Sequence, residues 1–155
     1  MSEGFLLDTT FIMPFFGIDV AIENFKEDLI SLLSSSRDDL FITSCSLIEG
    51  KWKCIRNFTK SKNEEYLKRA NNALESFQLN KYVKILDSWF VKDASKWADH
   101  LLVNGHQDYM DCWIAGTARA LNLVLVTEDT PLVDLINDLD EWKLQKTIDW
   151  KVFNL

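Results

Sequence analysis

Histidine, cysteine, glycine and proline are all scarce in this chain of 155 residues, which has two, three, five and two of them, respectively. Two histidines cannot form a histidine-rich metal site, and they argue against nucleophilic catalysis driven by histidine. Cys45, Cys54 and Cys112 are odd in number, scattered and without a CxxC pair. This pattern favours free thiols in a reducing compartment over disulfides or a structural zinc site.

The chain also lacks a long apolar run and an excess of positive charge. No stretch approaches the roughly 18 apolar residues of a membrane span, and the first apolar run is too short and too acidic for a signal peptide. We therefore expect a cytoplasmic protein. Lys and Arg number 17 against 24 Asp and Glu, a net charge of −7, which argues against nucleic-acid binding through bulk positive charge.

Short apolar runs alternate with amphipathic helical segments, and the length predicts one domain over residues 1–155. Strands are predicted at 5–7, 40–43, 82–86 and 123–127, with a last one in the tail at 147–153. Helices are predicted at about 21–33, from 46 towards 59, and at 63–77, 94–103, 108–121 and 131–136. This alternation predicts an α/β fold, with a mainly parallel central sheet flanked by helices on both faces.

Acidic residues stand near the predicted carboxyl ends of the strands, where ligands bind in such sheets. Asp8 follows the first strand, and Asp129 follows the fourth. Glu49 lies in the first turn of the helix after the second strand. Asp111 lies in the first turn of the helix before the fourth strand, with Asp108 three residues earlier. Carboxylates that share a small volume repel one another, and the usual remedy is a divalent cation such as Mg²⁺ or Mn²⁺.

Each carboxylate also has a structural interpretation. Asp8 could cap a following helix, and Asp129 could be a turn residue. Ser46 and Glu49 match a capping box, in which the glutamate satisfies a backbone N–H. The two aspartates before the fourth strand could complement the dipole of their helix. Three nearby threonines could orient ligand oxygens or be ordinary strand-end residues: Thr9, Thr10 and Thr127.

Four segments resemble the PIN-domain nucleases, especially the small single-domain VapC-type toxins. They follow the family's order and span nearly the whole chain: FLLDTT at 5–10, ITSCSLIE at 42–49, DCWIAGTA at 111–118 and LVTED at 125–129. The third segment, followed by a strand and T-x-D, is moderately specific, whereas D-T-T alone carries no weight. The resemblance implies a parallel sheet flanked by helices and an acidic pocket that binds Mg²⁺ or Mn²⁺ for hydrolysis of RNA.

Carried over residue by residue, the resemblance implies that Asp8, Glu49, Asp111 and Asp129 occupy the metal-binding and catalytic positions. The three aspartates would ligate the metal, and the glutamate would position or deprotonate the nucleophile. Asp108 remains an alternative to Asp111 as the direct ligand. If the protein is a toxin, the resemblance also implies an antitoxin partner and a homodimer.

The negative charge is unevenly distributed. Residues 51–84 hold nine basic and three acidic side chains, a charge of +6, which leaves −13 on the rest of the chain. Four basic residues on the helix that carries Glu49 could hold an RNA backbone beside the pocket: Lys51, Lys53, Arg56 and Lys60. For any one of these residues the structural interpretation is a solvated helix face. The acidity restricts the area that can contact nucleic acid without excluding a nuclease.

The sequence therefore predicts a divalent-metal-dependent endoribonuclease, either a housekeeping enzyme or the toxin of a toxin–antitoxin pair. Two alternatives stay open. One is a non-catalytic PIN-fold module for assembly in an RNA-processing or protein complex. The other is a phosphatase-like hydrolase with Asp8 as nucleophile, although that chemistry generally uses a second aspartate where this chain has Thr10.

Overall fold

In the computed structural model, which describes residues 3–35 and 39–154, five parallel strands form one sheet. The strands are β1 (Phe5–Leu7), β2 (Leu40–Thr43), β3 (Val83–Leu86), β4 (Val124–Val126) and β5 (Thr147–Ile148), in the spatial order β3-β2-β1-β4-β5. In the central strand, Leu6 pairs with Phe41 on β2 and with Leu125 on β4. The predicted parallel sheet is confirmed, and its carboxyl edge collects the ends of β1, β2 and β4.

Helices cover both faces of the sheet in the described part of the chain. They are α1 (Phe25–Ser34), α2 (Ser44–Ser61), α3 (Glu65–Leu79), α4 (Ala94–Val103), α5 (Tyr109–Leu121), α6 (Thr130–Asp138) and α7 (Trp150–Phe153). Leu7 packs into the core with the aromatic rings of Phe11 and Trp150, whereas Leu6 belongs to the core around Trp142. Successive strand residues point to opposite faces, so β1 contributes to both cores.

Two predicted elements differ from the structure. Residues 9–16 form a 3-10 helix, and the first α-helix begins only at Phe25 rather than near residue 21. The tail predicted as one strand at 147–153 is a strand only at Thr147–Ile148, after which α7 begins. The reason is local: the Asp149 side chain accepts a hydrogen bond from the backbone N–H of Val152 and caps α7.

The start of α2 also corrects an expectation. The helix was predicted to begin near Ser46, but Thr43 caps it, because the Thr43 Oγ1 accepts the backbone N–H of Ser46 at 3.2 Å. The capping-box interpretation of Ser46 and Glu49 is therefore wrong, and Glu49 lies in the second turn rather than the first. The next residue, Gly50, lets α2 pack on the 3-10 helix, because a Cβ there would lie 2.6 Å from the Phe16 ring.

Close packing also fixes α5 against α4. A Cβ at Gly116 would lie 2.5 Å from the carbonyl oxygen of Ala94, so a larger residue would push the two helices apart. The loop between these helices carries His106 and Asp108. Within residues 3–35 and 39–154, no helix combines the length and apolar character needed to cross a membrane.

Candidate metal centre

Asp8 is the buried floor of the acidic site at the carboxyl edge of the sheet. It follows β1 directly and is only 5% exposed. Its Oδ2 accepts the Thr127 hydroxyl at 2.7 Å, and its Oδ1 accepts the Thr9 backbone N–H at 2.7 Å. Burial raises the pKa of Asp8 to about 6, against the effect of these hydrogen bonds and with added repulsion from Glu49 and Asp129.

Asp129 lies beside Asp8 because β4 is the neighbour of β1 in the sheet. Its backbone N–H donates to the Thr127 hydroxyl oxygen at 3.1 Å, so one threonine connects the two carboxylate positions. The Asp129 Oδ1 caps α6 by accepting the backbone N–H of Leu132 at 3.0 Å. The structural role of Asp129 is therefore a helix cap rather than the turn residue that was considered, and its Oδ2 lies 3.7 Å from the His106 Nε2.

Asp108 and Asp111 take different positions at the start of α5. Asp108 is the capping residue, and its Oδ1 accepts the backbone N–H groups of Met110 and Asp111. Asp111 lies in the first turn, with its side chain only 18% exposed. Burial raises the pKa of Asp111 to about 8, with further repulsion from Asp8, Asp108, Asp129 and Glu49 in that order. The arrangement favours Asp111 over Asp108 as the residue that faces the other carboxylates.

Glu49 reaches the site from α2. Its Oε1 lies 3.6 Å from the Lys53 Nζ, one helical turn away. Its Oε2 is buried and has no hydrogen-bond partner. A buried polar atom without a partner costs about 1–3 kcal/mol, so this oxygen calls for an explanation that hydrogen bonding within the chain does not supply.

His106 is the site residue that sequence reasoning missed. Its side chain is 9% exposed, and its Nε2 lies 3.6 Å from the Asp111 Oδ2 and 3.7 Å from the Asp129 Oδ2. Both distances are too long for hydrogen bonds, and the Nε2 is buried without a partner. Its place in the sequence could have pointed to it. His106 lies just before α5, and the first turn of that helix was already predicted to face the strand ends.

These donors fit a divalent cation. His106, Asp111 and Asp129 each offer an atom within 4.8 Å of the others. Asp8 and Glu49 add negative charge close enough to raise the pKa of Asp111. A cation would relieve the repulsion among the carboxylates, and it could be ligated by atoms that the chain leaves without partners.

Of the three threonines predicted to orient ligand oxygens, Thr9 and Thr127 form hydrogen bonds with Asp8, and Thr10 does not in the described part of the chain. Thr127 and the backbone of Thr9 hold Asp8, and the Thr9 hydroxyl lies 3.0 Å from the Ser46 Oγ. Thr10 is partly buried in the 3-10 helix, and no hydrogen bond of the described residues joins its hydroxyl to a site carboxylate.

Of the four predicted RNA-binding residues, three lie along one face of α2 and one lies on a different face. Lys53, Arg56 and Lys60 follow Glu49 at spacings of four, three and four residues, which places them along one face of α2. Arg56 and Lys60 are exposed. Lys51 is on a different face, and its ammonium group donates to the Asn71 Oδ1 on α3 at 2.7 Å. We call Lys53, Arg56 and Lys60 the basic stripe.

The comparison with known families agrees with this architecture. The PIN domain family model matches residues 5–135, and the chain therefore belongs to the PIN-domain family, whose members are typically nucleases that use divalent metals. The resemblance noted in the sequence is confirmed. The search of curated proteins gives no match.

Solved structures share the fold over nearly the whole chain. DNA-bound VapBC from Salmonella typhimurium is 18% identical and has a TM-score of 0.63, with 96% of this chain and 99% of that chain covered. VapBC-1 from nontypeable Haemophilus influenzae is 22% identical, with a TM-score of 0.58 and coverages of 95% and 98%. VapBC-5 from Mycobacterium tuberculosis, a member of the VapBC family of toxin–antitoxin systems, is 18% identical, with a TM-score of 0.55 and coverages of 96% and 99%.

Proposed function

We propose that this protein is a divalent-metal-dependent endoribonuclease that acts as the toxin of a toxin–antitoxin pair in the cytoplasm. The observation that carries the proposal is the convergence of four carboxylates and one imidazole at the carboxyl edge of the sheet. Two of their buried atoms, the Glu49 Oε2 and the His106 Nε2, have no partner. Membership of the PIN-domain family supports the same chemistry.

In this proposal Asp8, Asp111 and Asp129 hold Mg²⁺ or Mn²⁺, and Thr127 fixes the orientation of Asp8 through its 2.7 Å hydrogen bond. A bound cation would supply Lewis-acid stabilisation of the charge that develops on the scissile phosphate. The unpartnered Oε2 of Glu49 would accept a proton from water as the water oxygen bonds to phosphorus and the bond from phosphorus to the leaving oxygen breaks.

The basic stripe would hold the RNA backbone. Lys53 lies one turn beyond Glu49 on α2, and Arg56 and Lys60 continue the same face into solvent. Phosphate contacts of this kind position the nucleic acid without reading its sequence. The stripe is short, which is consistent with a local footprint on a chain of net charge −7.

An apolar pocket whose lining includes sequence neighbours of Glu49 and Asp111 is suited to a nucleobase. It has a volume of about 160 Å³ and is lined by Ser44, Cys45, Ile48, Ser88, Trp89, Met110 and Trp113. Ile48 and Met110 directly precede Glu49 and Asp111 in the chain. Trp89 is 79% exposed and packs edge-on against Trp113, with ring centroids 5.1 Å apart. Exposed aromatic rings bind unpaired RNA bases by stacking.

The proposed partners are an antitoxin protein and a second copy of this chain. Support comes from the fold shared with several VapBC proteins. Co-expression with the product of a neighbouring open reading frame tests the antitoxin: a true antitoxin co-purifies and suppresses cleavage, whereas a product that does neither is not one.

The test of the enzymatic proposal is cleavage of a defined set of RNAs with Mn²⁺ and with EDTA. The wild type should cleave only with metal. Asp111→Asn should lower the rate at least about 100-fold, in the range seen when groups that stabilise the transition state are removed. Asp108→Asn should retain most of the activity because Asp108 caps α5. Asp138→Asn, at the exposed end of α6, is the matched control. Equal cleavage in EDTA would contradict the proposal.

A further inference from the structure

We propose that the Nε2 of His106 is itself a ligand of the divalent cation, so that the centre offers nitrogen as well as oxygen and prefers Mn²⁺ to Mg²⁺. This inference rests on the proposed metal-dependent function and adds to it a residue and a metal preference. The sequence drew attention only to the acidic residues, and the imidazole enters through the loop between α4 and α5.

The position of the imidazole fits a shared ion better than it fits an ion pair. Two atoms bound to one cation at about 2.1 Å lie about 3 Å apart as neighbours and about 4.2 Å apart when opposite. The His106 Nε2 lies 3.6 Å from the Asp111 oxygen and 3.7 Å from the Asp129 oxygen, about 0.6–0.7 Å more than the spacing of neighbouring ligands, so a small side-chain adjustment would let all three atoms bind one ion. A charged imidazolium that neutralised the two carboxylates would be expected to form short hydrogen bonds with them, and neither contact is one.

Burial gives an independent reason. Nine-tenths of the His106 side chain is buried, and its Nε2 has no hydrogen-bond partner. Buried polar atoms in native proteins are nearly always paired, and an exception calls for an ion, a water or a functional role. The main chain at His106 is anchored to α4, because the His106 backbone N–H donates to the carbonyl oxygen of Leu101 at 3.1 Å.

A nitrogen ligand has a consequence for the choice of metal. Mg²⁺ takes oxygen ligands almost exclusively and keeps much of its water, whereas Mn²⁺ lies in the transition-metal series, for which imidazole is an ordinary ligand. His106→Gln keeps a side chain of similar reach and replaces the nitrogen donor with an amide oxygen. It should therefore weaken binding of Mn²⁺ much more than binding of Mg²⁺.

The experiment measures Mn²⁺ bound to the full chain without RNA. Pulsed electron spin resonance should detect an imidazole nitrogen coupled to the bound Mn²⁺ in the wild type. That coupling should change to the ¹⁵N pattern when the two histidines carry ¹⁵N, and it should persist in His100→Gln. In calorimetry, His106→Gln should weaken Mn²⁺ binding about 10–100-fold, and Mg²⁺ binding should change less than threefold.

The outcomes separate this inference from the proposed function. Mn²⁺ bound to the wild type without nitrogen coupling would overturn the role of His106 and leave the carboxylate centre standing. A wild type that binds no Mn²⁺ would overturn both. The labelling result is obtained on the wild type, so it decides the matter even where His106→Gln fails to fold.

Discussion

The two histidines occupy regions that differ in how their polar atoms are used. His100, on α4, accepts a hydrogen bond on its Nδ1 from the indole N–H of Trp142 at 3.0 Å, and its Nε2 faces Glu141 at 3.9 Å. Its ring also lies edge-on to Trp97. His106, six residues later, has a buried Nε2 that faces the carboxylates of Asp111 and Asp129 without a hydrogen bond to either. We call the first region the Trp142 cluster and the second the acidic centre.

The use of polar atoms distinguishes the two regions: in the Trp142 cluster they stabilise the fold, and in the acidic centre they are arranged to bind a ligand. In the Trp142 cluster, the histidine satisfies the N–H of a fully buried tryptophan. In the acidic centre, charge of one sign accumulates, and the pKa values of Asp8 and Asp111 rise to about 6 and about 8. Such burial and repulsion destabilise the metal-free fold, and a bound cation would relieve the repulsion.

The largest effect is expected from Asp8→Asn. The amide keeps the shape of the buried side chain but removes a charge from the cation site, so Mn²⁺ affinity should fall at least about 100-fold while the protein stays folded. Calorimetry measures the affinity, and thermal melting in EDTA checks the fold. Mn²⁺ affinity within a factor of three of the wild type would contradict the role of Asp8 in the acidic centre.

The next effect concerns pH. Because the pKa values of Asp8 and Asp111 are raised above the ordinary 3.8, the folded metal-free protein binds protons that the unfolded chain has already released. The stability that these two groups contribute should be fully present below about pH 4 and should be lost as the pH rises to 6 for Asp8 and to 8 for Asp111. We expect Tm in EDTA to fall between pH 5 and pH 8.5, by an amount that corresponds to at most about 5 kcal/mol.

Asp111→Asn should reduce this loss and should melt at a higher temperature than the wild type at pH 8.5. Asp138→Asn, which removes one exposed charge outside the acidic centre, should follow the wild-type profile. If the Asp111→Asn and wild-type profiles had the same slope, the account of repulsion in the acidic centre would fail.

A smaller effect separates the two histidines by stability. His100→Ala leaves the buried indole N–H of Trp142 without its acceptor and should cost about 1–3 kcal/mol. His106→Gln keeps most of the buried volume and removes an atom that has no partner, so the metal-free protein should lose less than about 1 kcal/mol. Urea unfolding in EDTA measures both. A loss for His106→Gln as large as that for His100→Ala would show that the two regions do not differ in this way.

The smallest effect is expected from the basic stripe. The double variant Lys53→Gln, Arg56→Gln should weaken RNA binding about tenfold and lower the slope of log K against log salt by about 1.5, as expected for single strands. Lys51→Gln is the control, because its ammonium group is bonded to Asn71. An unchanged salt slope in the double variant would place the RNA elsewhere.

Much of the fold follows from local pattern. The runs at residues 5–7 and 40–43 are apolar and end abruptly at polar residues, and the strands occupy those positions. The start of α2 was placed wrongly because Thr43 and Ser46 are equally good caps by sequence. Which one is used depends on the burial of the Ser46 hydroxyl against Thr9, a contact 37 residues apart in sequence.

The sequence predicts those residues of the acidic centre that lie near the carboxyl ends of the strands. Asp8, Asp111 and Asp129 follow from the rule that ligands bind at the carboxyl edge of a parallel sheet. His106 did not follow, because counting histidines says nothing about which loop brings one to that edge. Its position depends on the close packing of α4 and α5 at Gly116 and on the backbone hydrogen bond to Leu101.

The most direct test of the central claim is restoration of activity by metal. Purified wild-type protein is stripped with EDTA, assayed on a defined RNA, and assayed again after addition of Mn²⁺, with Asp8→Asn treated in parallel. The acidic centre predicts no cleavage after stripping, full cleavage after Mn²⁺ is added to the wild type, and none in Asp8→Asn. Cleavage that survives stripping, or that Mn²⁺ restores equally in Asp8→Asn, would contradict it.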